Sequence, residues 1–167
     1  MSTSIAIVSF TAEYWQPAKL IFEQGLTTGN ATFETSSPSW EAWDAAHLAI
    51  GRFVAIQNNS VVGWVALSPV SSRCVYGGVA EISVYIHEDH RGKGVGKILL
   101  AEVIASSEAN GYWTLQAGIM PTNLGSIKLH EAMGFRKIGY RERISKINNV
   151  WTDNLLFEKR SAVVGTD

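Results

Sequence analysis

Apolar and polar positions change period several times along the chain, and each change marks an element. Residues 5–10 are a short, mostly apolar run suited to a first strand. From Glu13 the apolar residues Tyr14, Trp15, Ala18, Leu20, Ile21, Phe22 and Leu26 fall close to one helical stripe. Thr27-Thr28-Gly29-Asn30 stops that helix, with Gly29 as its cap. Residues 31–35 predict a short extended segment. After Pro38, Ser39 is placed to cap a helix running through Trp40, Trp43 and Ala46 to about Ile50. Residues 52–57 and 61–68 then read as two strands turning at Asn58-Asn59-Ser60.

The stretch 81–101 organises the second half of the chain. Glu81-Ile82-Ser83-Val84-Tyr85-Ile86-His87 alternates polar and apolar residues and predicts a strand. Ile98-Leu99-Leu100-Ala101 is an apolar run suited to a buried helix face, in a helix over 94–108 that Asn110-Gly111 ends. Residues 112–119 predict a strand returning parallel to the organising one. Met120-Pro121-Thr122-Asn123 leads into a helix over 126–133. Residues 136–147 and 150–159 close the chain as a second hairpin turning at Asn148-Asn149. This order predicts an α/β (α+β) fold, a mixed, mostly antiparallel sheet of about seven strands with helices on both faces.

Composition narrows the function classes. A chain of 167 residues with 46% hydrophobic content supports one domain, expected over 1–160, with a loose tail over 161–167. The formal charge of −1 gives no broad attraction to nucleic acid or an anionic membrane, so neither is expected as a partner. Cys74 stands alone, without a partner for an internal disulfide. No apolar run approaches the ~20 residues of a membrane span, and the N-terminus lacks a basic segment followed by a hydrophobic one. The expectation is a soluble, cytoplasmic protein. His87 and His90 are three apart with no third ligand signalled nearby, so no metal site is expected.

Between strand and helix lies a loop built for an anion. Gly92, Gly94 and Gly96 remove side chains at alternate positions, which lets backbone N–H groups approach a ligand. The helix start adds unsatisfied N–H groups and the positive end of its dipole. Arg91, Lys93 and Lys97 add charge. A P-loop is excluded, because Arg91 stands five residues before Gly96 and Ile98 follows Lys97 where Ser or Thr is required. The dinucleotide fingerprint fails at Lys97, its third glycine position, and Gln116 and Ala117 stand where its ribose-binding acid is expected.

The loop Arg91-Gly92-Lys93-Gly94-Val95-Gly96 matches Arg/Gln-x-x-Gly-x-Gly/Ala and resembles the acetyl-CoA pyrophosphate loop of the GNAT superfamily of N-acetyltransferases. Asn123-Leu124-Gly125-Ser126-Ile127-Lys128-Leu129-His130-Glu131-Ala132-Met133-Gly134-Phe135 resembles the superfamily's second signature. Within the superfamily, Thr32-Phe33, Glu81 with Ser83-Val84-Tyr85-Ile86, Leu129-His130-Glu131 and Trp151-x-Asp153 are similar to the phosphinothricin and methionine-sulfone acetyltransferase-like branch. That similarity runs from about Asn30 to Arg160.

The resemblance implies acetyl-CoA as co-substrate and an organising strand that is bulged and splayed from the strand after its helix. Val84, Tyr85 and Ile86 then pair with the pantetheine arm, and residues 91–97 hold its phosphates, with Asn123 and Ser126 beside them. N–H groups near Val84 polarise the thioester carbonyl. Glu81 is the implied base for the amine. His130, where the superfamily commonly has Tyr, is the implied proton donor to the thiolate. The implied acceptor is the α-amino group of a small amino-acid analogue with a tetrahedral head group. Arg73 would grip its anionic groups, Phe33, Tyr76 and Trp151 would wall it, and Ser83 would lie beside it. Gly77-Gly78-Val79-Ala80 predicts a more flexible loop and a wider pocket. Pairing into a homodimer is implied as well. Other acceptors, such as a polyamine, an aminoglycoside or a protein N-terminus, and a non-catalytic acyl-CoA-binding role remain open on the residues.

Overall fold

In the computed structural model, which describes residues 4–167, the described residues form a seven-stranded sheet and four helices. The strands are β1 (Ala6–Ser9), β2 (Phe53–Gln57), β3 (Ser60–Pro69), β4 (Val79–Ile86), β5 (Thr114–Ile119), β6 (Arg136–Ile147) and β7 (Val150–Arg160). Their order across the sheet is β1-β2-β3-β4-β5-β7-β6. All neighbours are antiparallel except β4 and β5, which α3 (Val95–Ala109) connects as a crossover. The remaining helices are α1 (Trp15–Thr28), α2 (Trp40–Ala46) and α4 (Leu124–Ala132).

The local signals act as their chemistry dictates. Gly29 ends α1 in the left-handed region at φ 72°, and Ser39 caps α2 by accepting the Ala42 N–H at 3.2 Å. Both hairpins turn on paired left-handed asparagines, Asn58 and Asn59 (φ 51° and 62°) and Asn148 and Asn149 (φ 48° and 64°), the backbone that a two-residue loop between twisted strands demands. Two expected elements differ. Residues 31–35 form bends rather than a strand. α2 stops at Ala46, where the His47 ring donates from Nδ1 to Trp43 O at 2.6 Å and Leu48 N–H turns to Leu67 O at 2.8 Å.

Two cores sandwich the sheet. On one face α1 and α2 pack Trp15, Ile21, Phe22 and Trp43 onto Phe10, Val54 and Trp64, and Trp64 anchors α1 by donating from Nε1 to Ala18 O at 3.1 Å. On the other, Val95, Leu99, Leu100 and Val103 of α3 cover Val65, Leu67, Ala80 and Ile82, with Ile127 and Leu129 of α4 and the following Met133 against the same core. β4 contributes to both: Ala80 and Ile82 face α3, while Tyr85 stacks on Trp64 with centroids 4.9 Å apart.

The sheet opens where the sequence leads one to expect, but not through a bulge in β4. Parallel pairing of β4 with β5 covers only Val79, Ala80 and Glu81, against Thr114, Leu115 and Gln116; beyond Glu81 the two strands part. Against β3 the β4 register is unbroken from Pro69↔Ala80 to Gly63↔Ile86. Strand divergence alone therefore makes the gap, because β5 is held from its other side by β7 along its whole length. The tail, expected to be loose, is tethered at its start. Ser161 donates to Glu108 at 2.9 Å, and Arg160 donates to the carbonyls of Val164 and Gly165.

Candidate active site

The parted strands border a cleft of about 1080 Å³ that runs from the start of α3 to β6. His87 N–H donates to Val62 O on β3 at 2.9 Å, so strand alternation turns the backbone groups of Ile82, Val84 and Ile86 toward the gap. The backbone of Tyr85 faces β3 instead. Its ring belongs to the α1 core, where burial pushes the hydroxyl up to about 12 despite a hydrogen bond with the Thr32 side chain. That bond braces the 31–35 segment, from which Phe33 lines the cleft.

At one end the cleft meets the glycine loop. Gly92 and Gly94 sit in the left-handed region at φ 71° and 87°, and a Cβ built at either meets no atom within 4 Å. The backbone there is open to a ligand. The first intrahelical acceptor of α3 is Gly94 O, taken by Ile98 N–H at 3.3 Å, which leaves the N–H groups before Ile98 as the free positive end of the helix. Arg91 ties the loop to β4 by donating from Nε to Ile86 O at 3.2 Å. Arg91, Gly92, Gly94, Gly96 and Lys97 all line the cleft. Lys93 is exposed and does not, and the Val95 side chain is buried in the α3 core. These features fit a pyrophosphate, since its charge meets N–H groups, a helix N-terminus and two cations.

Glu81 marks the point where β4 and β5 separate. Its side chain reaches solvent through the cleft mouth, yet the enclosing walls remove enough water to raise its carboxyl above the ordinary range, against the opposing charge of Arg141. His130 lies on α4, 2% exposed, and packs edge-on to Phe135 at 5.1 Å. Its Nδ1 lies 2.7 Å from Ser126 O, a carbonyl that only accepts, so Nδ1 carries the proton and Nε2 is the acceptor. Burial lowers its pKa, opposed by that hydrogen bond. Asn123 caps α4 by accepting Ser126 N–H at 3.2 Å, and its Nδ2 donates to Asn30 O at 3.3 Å, joining α4 to the loop after α1.

Glu81, Ser83, Phe33, Asn123, Ser126 and His130 all line one cleft. Arg73, Tyr76 and Trp151 do not. Arg73 and Tyr76 lie on the loop before β4, with the guanidinium 5.5 Å from the Tyr76 ring centroid, and Trp151 is exposed beside the second hairpin turn under Lys146 Nζ at 4.8 Å. Arg141, Ile144 and Ser145 of β6 and Asn154 of β7 wall the cleft instead. Sequence reasoning missed them because the packing of the β6–β7 hairpin against the cleft is a tertiary contact that alternation alone does not reveal. Gly78 also differs from expectation. Its carbonyl accepts from both Trp113 N–H and Thr114 N–H, and a Cβ there would lie 2.0 Å from the Trp113 ring, so it is a close-packed joint. Among the described residues no three His, Cys, Asp or Glu side chains cluster to hold a metal, and no helix is long and apolar enough to cross a membrane.

The family model of the acetyltransferase (GNAT) family matches residues 14–135. The L-methionine sulfoximine/L-methionine sulfone acetyltransferase of Salmonella typhimurium is 31% identical over 67% of this chain and 67% of its own. The phosphinothricin N-acetyltransferase of Alcaligenes faecalis is 30% identical over 83% of this chain and 74% of its own. Several curated relatives are spanned over only 56–67% of their length. Among solved structures, a GNAT superfamily phosphinothricin acetyltransferase from Sinorhizobium meliloti, in complex with AcCoA, superposes with a TM-score of 0.88 at 25% identity. That match covers 98% of this chain and 91% of the other.

Proposed function

From the premise that this chain belongs to the acetyltransferase (GNAT) family, we propose that it transfers an acetyl group from acetyl-CoA to the α-amino group of a small amino-acid analogue of the phosphinothricin, methionine sulfone or methionine sulfoximine type. The observation that carries this reading is the opened edge of β4, with the start of α3 at one end and Glu81 at the apex.

Bound acetyl-CoA supplies the activated carbonyl. Gly92, Gly94, Gly96, Arg91 and Lys97 would hold its phosphates, and the gap-facing backbone of Val84 and Ile86 its amides. Val84 N–H is the donor for the carbonyl oxygen, in a site where fixed dipoles act with little competition from water. Glu81 deprotonates the ammonium of the acceptor, its proton affinity increased by burial and kept in check by Arg141. Neutral His130, with Nε2 as acceptor, must take up a proton before giving one to the departing thiolate. The second proton of the attacking nitrogen is its source.

No acidic run favours a polycation as the acceptor. Pairing into a homodimer through the β6–β7 hairpin is part of the proposal, supported by the exposed Ile138, Tyr140, Ile144, Val150 and Trp151. So is a cytoplasmic location.

Coenzyme A release measured with methionine sulfone, phosphinothricin, spermidine, an aminoglycoside and a short peptide tests the reading. The amino-acid analogues are expected to dominate kcat/KM. Preference for a polycation or peptide overturns the acceptor class, and binding of acetyl-CoA without turnover of any amine overturns catalysis.

A further inference from the structure

β6 leaves its ladder with β7 inside the cleft wall. Arg141 pairs with Asn154 and Ser145 with Thr152, so residues 142–144 stand opposite Asp153 alone, a bulge of two extra residues. Arg143 at its centre is in the left-handed region at φ 50°, a conformation a bulky side chain adopts only when its surroundings impose it. Asp153 imposes it. One carboxylate oxygen accepts the Arg143 N–H at 2.7 Å and the other accepts the Tyr140 hydroxyl. The bulge is thus clamped on both sides. Arg141, the last paired residue before it, and Ile144 within it wall the cleft together with Glu81.

We propose that Arg141 is the anchor for the acceptor's carboxylate and that Asp153 is the positioning residue that holds the bulge presenting it. This rests on the acceptor reading above and deepens it. A zwitterionic amino acid carries its ammonium and carboxylate on one carbon. A Glu and an Arg lining one cleft are its charge complement: the ammonium meets the group that takes its proton, and the carboxylate meets a planar fork of donors. The Arg141 charge is already felt at Glu81, where it opposes the effect of burial. Arg73, paired with Tyr76 outside the cleft, is not placed for this work. Arg91 and Lys97 belong to the glycine loop, which leaves them to phosphate. Asp153 does not line the cleft, and its two oxygens accept from Tyr140 and Arg143 instead. Both contacts hold its carboxyl below the usual range, and its bond with Tyr140 holds that hydroxyl above its own.

Steady-state kinetics on the full chain with methionine sulfone and with its carboxamide, which lacks the carboxylate charge, tests this. The wild-type protein is expected to prefer the free acid. R141Q is expected to lower kcat/KM for the acid by about 10- to 100-fold more than for the carboxamide, the range of one charged hydrogen-bonding partner, and to leave the KM for acetyl-CoA unchanged. R141K recovers part of the preference. D153N raises KM for the acid more than it lowers kcat, and more than it raises KM for the carboxamide. An R141Q protein that still prefers the acid overturns the anchor. A D153N protein in which both acceptors suffer equally overturns the positioning role. A wild-type protein that binds acetyl-CoA but acetylates neither compound overturns the acceptor reading, and the anchor with it. Arg141 is exposed, so its replacement leaves the fold standing, which thermal unfolding of each variant checks.

Discussion

At the scale of single residues, Glu81 holds its place at a cost to stability. Its folded pKa is raised, so over a window above 4.5 the folded protein retains a proton that the unfolded chain loses, and stability falls as pH rises through that window. Glu81→Gln removes this burden together with the base. The expected result is a drop of about 10²- to 10⁴-fold in kcat with unchanged acetyl-CoA affinity and no loss of melting temperature. A variant that melts well below the wild type contradicts the assignment, because a residue placed for chemistry has no packing to lose. Gly78 is the opposite case. A methyl group there would stand 2.0 Å from the Trp113 ring, so Gly78→Ala is expected to cost about 1–3 kcal/mol in urea unfolding, by pushing the ring away from the β4–β5 joint. Unchanged stability would mean that the loop gives way instead.

At the scale of elements, the strand, glycine loop and helix act as one unit. β4 is fixed to β3 without a register break, and α3 is buried through Val95, Leu99, Leu100 and Val103, so the loop between them is pinned at both ends. Gly94 then carries the left-handed turn into the helix. Gly94→Ala meets no steric neighbour, yet places a Cβ in the left-handed region at a cost of about 1–2 kcal/mol, and distorts the N–H cradle. Titration calorimetry should show weaker acetyl-CoA binding with the amine KM little changed. Equal binding would remove the loop from the phosphate site. This element was legible in the sequence because every part of it is local: alternation for the strand, glycines for the turn, an apolar run for the helix. The β6 bulge was not. Its cause is the Asp153 carboxylate, ten residues on, accepting the Arg143 N–H in a stretch whose sequence carries no glycine or proline to signal a break.

For the whole molecule, buried His130 and half-buried His47 both weaken the fold toward acid pH. His130 and His47 both have pKa values lowered from 6.5, chiefly by burial. The unfolded chain takes up protons near 6.5 while the folded protein resists them, so the stability they contribute is complete above that pH and falls as pH drops below it. Urea unfolding midpoints measured at about pH 7.5 and 5.5 should decline, and His130→Gln, which keeps a donor for Ser126 O, should flatten the decline. Identical slopes would take His130 out of the acid response.

The sequence alone determined the order of the seven strands and four helices, both asparagine turns, the caps at Gly29 and Ser39, the anion loop and the family. Each rests on periodicity or on backbone chemistry confined to a few neighbouring residues. Tertiary structure alone decided how the cleft is walled. Strand divergence beyond Glu81 depends on β7 holding β5, and the β6 bulge that follows Arg141 depends on Asp153. Arg73, Tyr76 and Trp151, plausible by position, stay outside it. Contacts between segments far apart in the chain set these outcomes, and local pattern has no access to them.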